Sequence, residues 1–135
     1  MATFIKVLSF TEAIAEKVHN LGSDTLTVAL TNTTPTTTWT QLSDLTEVAY
    51  TNLSTRVITT TSSAQTAGTY KLTLTDLVLT ATGAVGPFQY VYIYNDSATN
   101  DELVCYFNYG SAVTLASGDT FTLDFDSANG ILTIS

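Results

Sequence analysis

Alternation of apolar residues with threonine begins after Gly22 and constrains the fold more than any other feature of the sequence. In the segment TLTVALT, residues 25–31, leucine or valine occupies every second position and threonine occupies most positions between them. Successive side chains of a β-strand point to opposite faces, so this period of two predicts a strand with one apolar face. Threonine suits a half-exposed opposite face because its branched Cβ fits a pleated surface and its hydroxyl group tolerates water.

Similar short runs recur through the rest of the chain. Gly, Asn and Asp residues typical of turns separate these runs. About eight short strands at such spacing are typical of an antiparallel β-sandwich or jelly roll. We therefore predict a mainly β fold in one domain, residues 1–135, with strands and loops over 25–135. The predicted strands after the first lie at 55–60, 70–74, 76–82, 88–94, 113–115, 121–125 and 131–135.

One short amphipathic helix is predicted near the N-terminus, over residues 9–21. Apolar residues recur there at steps of three or four, Ser9 and Glu12 have the spacing of a capping box, and Gly22 supplies a left-handed stop. A helix of this length is marginal in isolation, so packing against another part of the chain must stabilise it. Residues 1–8 are predicted to form an extended N-terminal arm or a strand.

The charge of the chain is strongly acidic, with 12 carboxylates, four cations and a formal net charge of -8. Nucleic acids and anionic membranes bind clusters of Lys and Arg, so this balance argues against either as a partner. No segment has the roughly 18 to 20 apolar residues of a spanning helix, and the N-terminus lacks the apolar core of a signal peptide. Cys105 has no cysteine to pair with and is interpreted as a small buried hydrophobe. We expect synthesis and assembly in a reducing cytoplasm.

Residues suited to catalysis are sparse. A single His and a single Cys leave little for nucleophile or metal chemistry, and no G-x-S-x-G, H-E-x-x-H, C-x-x-C or phosphate-binding glycine motif is present. His19 falls on the polar side of the predicted helix, where a surface residue is expected rather than a general base. The neighbouring carboxylates that a glycosidase would need lie in turn-like or exposed contexts. We predict a noncatalytic protein without a cofactor.

Asp124 and Asp126, in the segment DFDSANG, are weak candidates for metal ligands. Their spacing places both carboxylates on one face of a strand, but no bidentate Glu follows as in a calcium loop. A second acidic turn lies at residues 96–102, and the two groups could hold a cation jointly across a subunit boundary. Solvated turn residues are the favoured interpretation of both groups, so we predict no metal site.

The segment FQYVYIY, residues 88–94, is apolar or amphipathic on both faces. Its aromatic residues, among them Tyr90, Tyr92 and Tyr94, project to one side and its aliphatic residues to the other, which predicts a central strand covered on both sides. One interpretation packs one side on the sandwich core and the other under the helix. A second makes the tyrosines a subunit interface, because Tyr offers a large rigid contact area with a polar tip. A third makes them a platform for a sugar.

Two polar stretches, residues 32–40 and 59–69, predict long surface loops or β-arms, and residues 42–48 between them predict one helical turn. Trp39 stands alone in the first stretch. An isolated Trp among threonines is unexpected unless it is buried. Either the ring folds back on its own sheet, or it inserts into the groove of a partner, where Trp is a frequent hot spot.

Two long segments carry a family resemblance. They are FTEAIAEKVHNLGSDTLTVALTNTTP, residues 10–35, and GAVGPFQYVYIYNDSATNDELVCYFNYGSAVTLASGDTFTLDFDSANGILTIS, residues 83–135. With the short helix, the NLGSDTL junction, the GPF turn and the closing NGI strand pair, the chain resembles a family of small structural proteins of tailed bacteriophages. The resemblance implies a noncatalytic virion protein that decorates or cements the capsid exterior, often as a homotrimer with a β-sandwich or jelly-roll core. It offers no catalytic residue.

The resemblance also implies partners and a location. The partners are further copies of the chain and the major capsid protein, and the location is the capsid surface of a virion assembled in the host cytoplasm. Several subunits engaging one lattice make weak contacts adequate. The alternatives are a phage tail or tail-tip component that binds host glycan, and a free carbohydrate-binding module. The candidate capsid contacts are Phe4, Ile5 and Trp39, and the candidate contacts between subunits are Tyr90, Tyr92 and Tyr94.

Overall fold

A computed structural model describes residues 2–135, and these residues form a mainly β fold. All strand pairs are antiparallel, and one short α-helix, α1 (Phe10–Ala15), follows the first strand. The predicted mainly β class with one short helix is thus confirmed. The strands are β1 (Thr3–Lys6), β2 (Leu26–Thr31), β3 (Val57–Ile58), β4 (Thr60–Thr66), β5 (Thr69–Leu74), β6 (Leu77–Thr80), β7 (Val85–Asn95), β8 (Leu103–Leu115), β9 (Thr120–Leu123) and β10 (Leu132–Ile134).

The largest sheet has five strands in the order β1-β8-β7-β2-β3. The tyrosine-rich strand β7 lies at its centre, and every residue from Tyr90 to Asn95 is buried, as predicted for a strand covered on both sides. Strand β2 differs from the prediction of a half-exposed threonine face, because all six of its residues are buried. The Thr31 hydroxyl donates to the carbonyl of Thr46 at 2.6 Å, so a later segment of the chain lies over this threonine.

Two smaller sheets complete the structure, one with the order β10-β5-β4 and one of β6 with β9. Side chains from all three sheets pack into one contiguous hydrophobic core. Leu74 of β5, Leu79 of β6 and Leu123 of β9 belong to the same core as Val28 and Ile93 of the five-stranded sheet. The free energy of unfolding therefore depends on contacts between the sheets as well as on pairing within them.

The polar stretch 59–69 is a β-hairpin rather than a loop, which agrees with the predicted alternative of a β-arm. Strand β4 pairs with β5, and Thr66 lies opposite Thr69 across a two-residue turn. The turn residues Ala67 and Gly68 have φ angles of 51° and 82°. Positive φ at both positions is the type I′ geometry, whose twist matches that of two antiparallel strands.

The helix ends earlier than predicted, at Ala15 instead of residue 21. Lys17 adopts a left-handed φ of 66°, and the amide of Val18 donates to the carbonyl of Ala13 at 2.8 Å. This is the Schellman arrangement, in which a left-handed residue turns the chain away from the helix axis. Here a lysine, not a glycine, takes the left-handed position. The 3₁₀ turn at Leu42–Asp44 matches the predicted helical turn, and neither helical segment within residues 2–135 is long and apolar enough to cross a membrane.

The two predicted end signals of the helix, Ser9 and Gly22, do not act as its caps. The Ser9 side chain makes no capping hydrogen bond, because Ser9 itself has helical backbone angles. Gly22 lies well beyond the helix and has no left-handed φ. The early stop allows the chain to turn inward, so His19 is only 5% exposed, and its ring stacks on Phe10 with centroids 5.4 Å apart. The prediction of a surface histidine is therefore wrong.

Candidate functional site

The three tyrosines predicted as a subunit seam are buried inside the single chain. Tyr90, Tyr92 and Tyr94 are 9%, 1% and 4% exposed. The ring of Tyr92 stacks on Tyr106 of β8, with centroids 4.9 Å apart, and lies 6.1 Å from the ring of Trp39. Burial raises the pKa of Tyr92 above its ordinary value. This burial does not fit a role for these side chains as a subunit seam or as a sugar platform.

Trp39 covers part of this tyrosine face. Its ring is half-buried and belongs to the side chains packed against the core. The neighbouring backbone fixes it there, since the amide of Leu103 donates to the carbonyl of Thr40 at 2.9 Å and the amide of Leu42 donates to the carbonyl of Asp101 at 3.0 Å. The indole thus folds back on its own sheet, and part of the ring remains exposed.

Side chains of the segment 47–56 help to close the edge of β2 over residues 28–31, beyond its short pairing with β3. Backbone groups contribute as well, since the amide of Val28 donates to the carbonyl of Arg56 at 2.9 Å and the amide of Val48 donates to the carbonyl of Leu30 at 3.0 Å. The hydroxyl of Tyr50 accepts a hydrogen bond from the amide of Leu30 at 2.9 Å and donates to Oε1 of Glu47 at 2.6 Å. The guanidinium of Arg56 donates to the carbonyl of Val28 and lies over the Tyr50 ring, 3.7 Å from its centroid. Side chains therefore replace part of the ladder that another strand would supply. Burial raises the pKa of Tyr50, so its hydroxyl stays protonated and able to donate.

The predicted N-terminal arm contains β1, an edge strand of the five-stranded sheet; Met1 lies outside the described residues. Strand β1 pairs with β8, with Phe4 opposite Phe107 and Ile5 opposite Tyr106. The rings of Phe4 and Phe107 meet edge to face at 5.9 Å, whereas the Ile5 side chain is 36% exposed. The two predicted contact residues thus point to opposite faces of the sheet.

The acidic turn near the C-terminus stabilises its own backbone. Asp126 Oδ1 accepts the amides of Ala128 and Asn129 at 2.9 and 2.8 Å, and Oδ2 accepts Nδ2 of Asn129 at 2.8 Å. The hydrogen bond from the Asn129 amide, the largest effect, holds the pKa of Asp126 below its usual value. Both oxygens are thus engaged in the turn, and residues 2–135 hold no group of three or more His, Cys, Asp or Glu side chains placed to bind a metal. Asp124 is exposed beside this turn.

A buried polar corner joins the turn after α1 to the turn after β7. Nδ2 of Asn95 lies 3.0 Å from Nδ1 of His19 and donates to Oδ2 of Asp24 at 2.6 Å. Burial lowers the pKa of His19, although the charges of Glu102 and Asp24 act in the opposite direction. No local pattern predicts this corner, because His19 and Asn95 are 76 positions apart in the chain. Cys105 is fully buried, as predicted, and burial raises the pKa of its thiol.

An open apolar groove runs between β1 and the strands β9 and β10. It consists of two adjoining cavities of about 430 and 480 Å³, which share the side chains of Phe4 and Ile131. Asp124 and Asp126 lie at one end of the groove, and Lys6 lies in the other cavity. Sequence reasoning missed this groove, because its walls are distant in the chain. The remaining apolar side chains that line it are Phe10, Ile14, Val104, Phe107, Phe121, Leu123, Phe125, Leu132 and Ile134.

No family model, no curated protein and no solved structure matches this chain.

Proposed function

We propose that this protein is a noncatalytic structural component of a virion, a subunit that decorates or cements the exterior of a tailed-phage capsid through protein–protein contacts. The observation that carries the proposal is the open groove, because an apolar channel bordered by strands is a surface on which another polypeptide can pack. The phage setting rests on the sequence resemblance of residues 10–35 and 83–135. The partners in this proposal are the major capsid protein and further copies of the chain.

The proposal includes a β-sandwich of the jelly-roll kind. Its support is the single core shared by the five-stranded sheet and the two smaller sheets. Stacked sheets bury their inner faces against each other in this way. The groove then lies along an open side of the sandwich, where an edge of one sheet meets edges of the other.

The proposed assembly is a homotrimer on the capsid surface, formed in the host cytoplasm. Its seam uses side chains other than the buried tyrosines of β7. Three copies that engage one lattice strengthen binding by about 10² to 10⁴-fold without any new kind of contact. A groove that holds a partner weakly in each copy is therefore adequate for stable decoration.

The test combines binding to purified phage heads with imaging of whole particles. Ile134 lines the groove and is 42% exposed, and Val78 on β6, outside the groove lining, is 51% exposed. We expect Ile134→Lys to weaken head binding about tenfold or more, because a buried Ile side chain contributes about 1.5–3 kcal/mol. The matched variant Val78→Lys should bind as the parent chain does. Density on the head exterior supports the proposal, and density confined to the tail, or no binding to heads, refutes it.

A further inference from the structure

We propose that the groove binds an extended segment of a partner chain, which adds as a β-strand to the edges of β9 and β10 and places a Lys or Arg beside Asp124. The inference deepens the proposed function and rests on it in taking the partner to be a shell protein. Three features of the groove carry it: the exposed strand edges, the apolar floor and, at one end, a carboxylate that forms no ion pair with the residues that the structure describes.

The pattern of lining residues distinguishes an edge from a face. Consecutive residues 121–125 and 131–134 line the groove, whereas β1 contributes alternate residues at positions 2, 4 and 6. A strand that shows one face presents every second residue, and a strand that shows its edge presents consecutive residues together with its backbone. Strands β9 and β10 therefore present their edges to the groove.

These edges have backbone groups to offer. Strand β9 pairs only with β6, and β10 only with β5, among the residues that the structure describes. An unpaired edge presents a row of N–H and C=O groups, and an added strand is the ligand that satisfies them. Strands β5 and β6 follow each other in the chain, and β10 pairs with β5 as β9 pairs with β6. The unpaired edges of β10 and β9 therefore follow each other too, and together they extend over both cavities. This favours an extended polypeptide over a helix or one small molecule.

The floor of the groove favours a segment with apolar side chains at alternate positions. The rings of Phe4 and Phe107 lie on the side of β1, and Phe121, Phe125 and Ile131 lie near the opposite edges. Every second side chain of an added strand would point toward these rings. The two cavities, about 430 and 480 Å³, provide space for more than one such side chain.

The charges favour a cation at one end of that segment. Asp124 lines the groove and is exposed, and the ion pair found within residues 2–135 joins Arg56 to Glu47 instead. Asp126, with its lowered pKa, adds a second negative charge nearby. The chain carries a net charge of -8 and only four cations. A segment of a second copy therefore offers few Lys or Arg side chains to place beside Asp124, which disfavours a second copy as the occupant.

The test uses the full chain, labelled with ¹⁵N, and two capped synthetic peptides, KVTVTVT and EVTVTVT. We expect KVTVTVT to shift the amide resonances of residues 121–125 and 131–134 and to slow their hydrogen exchange. It should bind about two- to fivefold more tightly than EVTVTVT, the range expected of an exposed charge pair. Asp124→Asn should reduce this preference, with Asp126 supplying what remains, and the matched variant Asp96→Asn, at an exposed turn away from the groove, should retain it in full.

Three results overturn the inference. One is the absence of shifts at β9 and β10 with either peptide, or shifts at other strands instead. Another is equal binding of the two peptides to the parent chain. The third is the same set of shifts on raising protein concentration without peptide, which would identify a second copy as the occupant. If Asp124→Asn and the parent chain decorate phage heads equally while the peptides do not bind, the inference fails and the proposed function stands. If the peptides bind as expected but the chain does not bind to phage heads, the proposed function fails and the binding of an extended segment in the groove stands.

Discussion

Replacing Tyr50 by Phe removes one hydroxyl group and tests whether side chains close the edge of β2. The ring over Arg56 remains, but the amide of Leu30 loses its acceptor and Glu47 loses its donor. Leu30 is 0% exposed, so its freed N–H has no route to water, and an unsatisfied buried donor costs about 1–3 kcal/mol. The bond to the solvent-accessible Glu47 adds little more. We expect a loss of about 2 kcal/mol in the free energy of unfolding, measured by urea titration at fixed protein concentration.

The matched control is Tyr109→Phe, which removes the same hydroxyl from a ring that is 53% exposed. Exposed substitutions of this kind usually change stability by less than about 0.5 kcal/mol. If Tyr50→Phe is no more destabilising than this control, the closure of the β2 edge by side chains is refuted. An unchanged urea slope would confirm that both variants alter the native state and not the extent of unfolding.

Three further predictions concern single residues. Ala67→Gly should raise the free energy of unfolding by about 0.5–1 kcal/mol, as read from urea titration, because the φ of 51° at this position strains any residue with a Cβ; a loss would contradict the type I′ turn. Burial holds the pKa of folded His19 below its ordinary value of 6.5, so the stability that its neutral form contributes is complete above pH 6.5 and is lost as the pH falls through the folded pKa. The urea midpoint should therefore fall more between pH 7 and pH 5 in the parent chain than in His19→Gln, and equal changes would exclude this histidine as the cause. The Cys105 thiol is buried with a raised pKa, so a thiol reagent such as 5,5′-dithiobis(2-nitrobenzoate) should label it only after urea unfolding, and rapid labelling of the folded chain would contradict its burial.

Local patterns in the sequence predict much of the fold. Period-two alternation identified β2 and the two-sided character of β7, because side-chain direction in a strand depends only on neighbouring residues. The short N-terminal helix was predicted in type but not in extent, since its end depends on a left-handed lysine, a conformation that sequence statistics assign to glycine.

The features that sequence reasoning missed depend on contacts between distant residues. The threonine face of β2 is buried because the polar stretch after it returns across the sheet, and no property of β2 itself signals that return. The hydrogen-bond partner of the buried His19 is Asn95, across a separation of 76 residues, so no neighbouring residue signals this contact. The groove combines β1, from the start of the chain, with β9 and β10 from its end, so its aromatic residues look unrelated in the sequence.

The closure of the β2 edge by Tyr50 and Arg56 has a consequence for aggregation. Beyond the short strand β3, backbone groups satisfy the Val28 amide and the Leu30 carbonyl, but the Leu30 amide and the Val28 carbonyl each depend on a single side chain. A substitution that removes the whole side chain, Tyr50→Ala for the Leu30 amide or Arg56→Ala for the Val28 carbonyl, would therefore open one of these groups to other molecules. Open edges of this kind template the pairing of further chains and the growth of fibres. Mutations at these two positions should increase fibril formation even where the native fold survives.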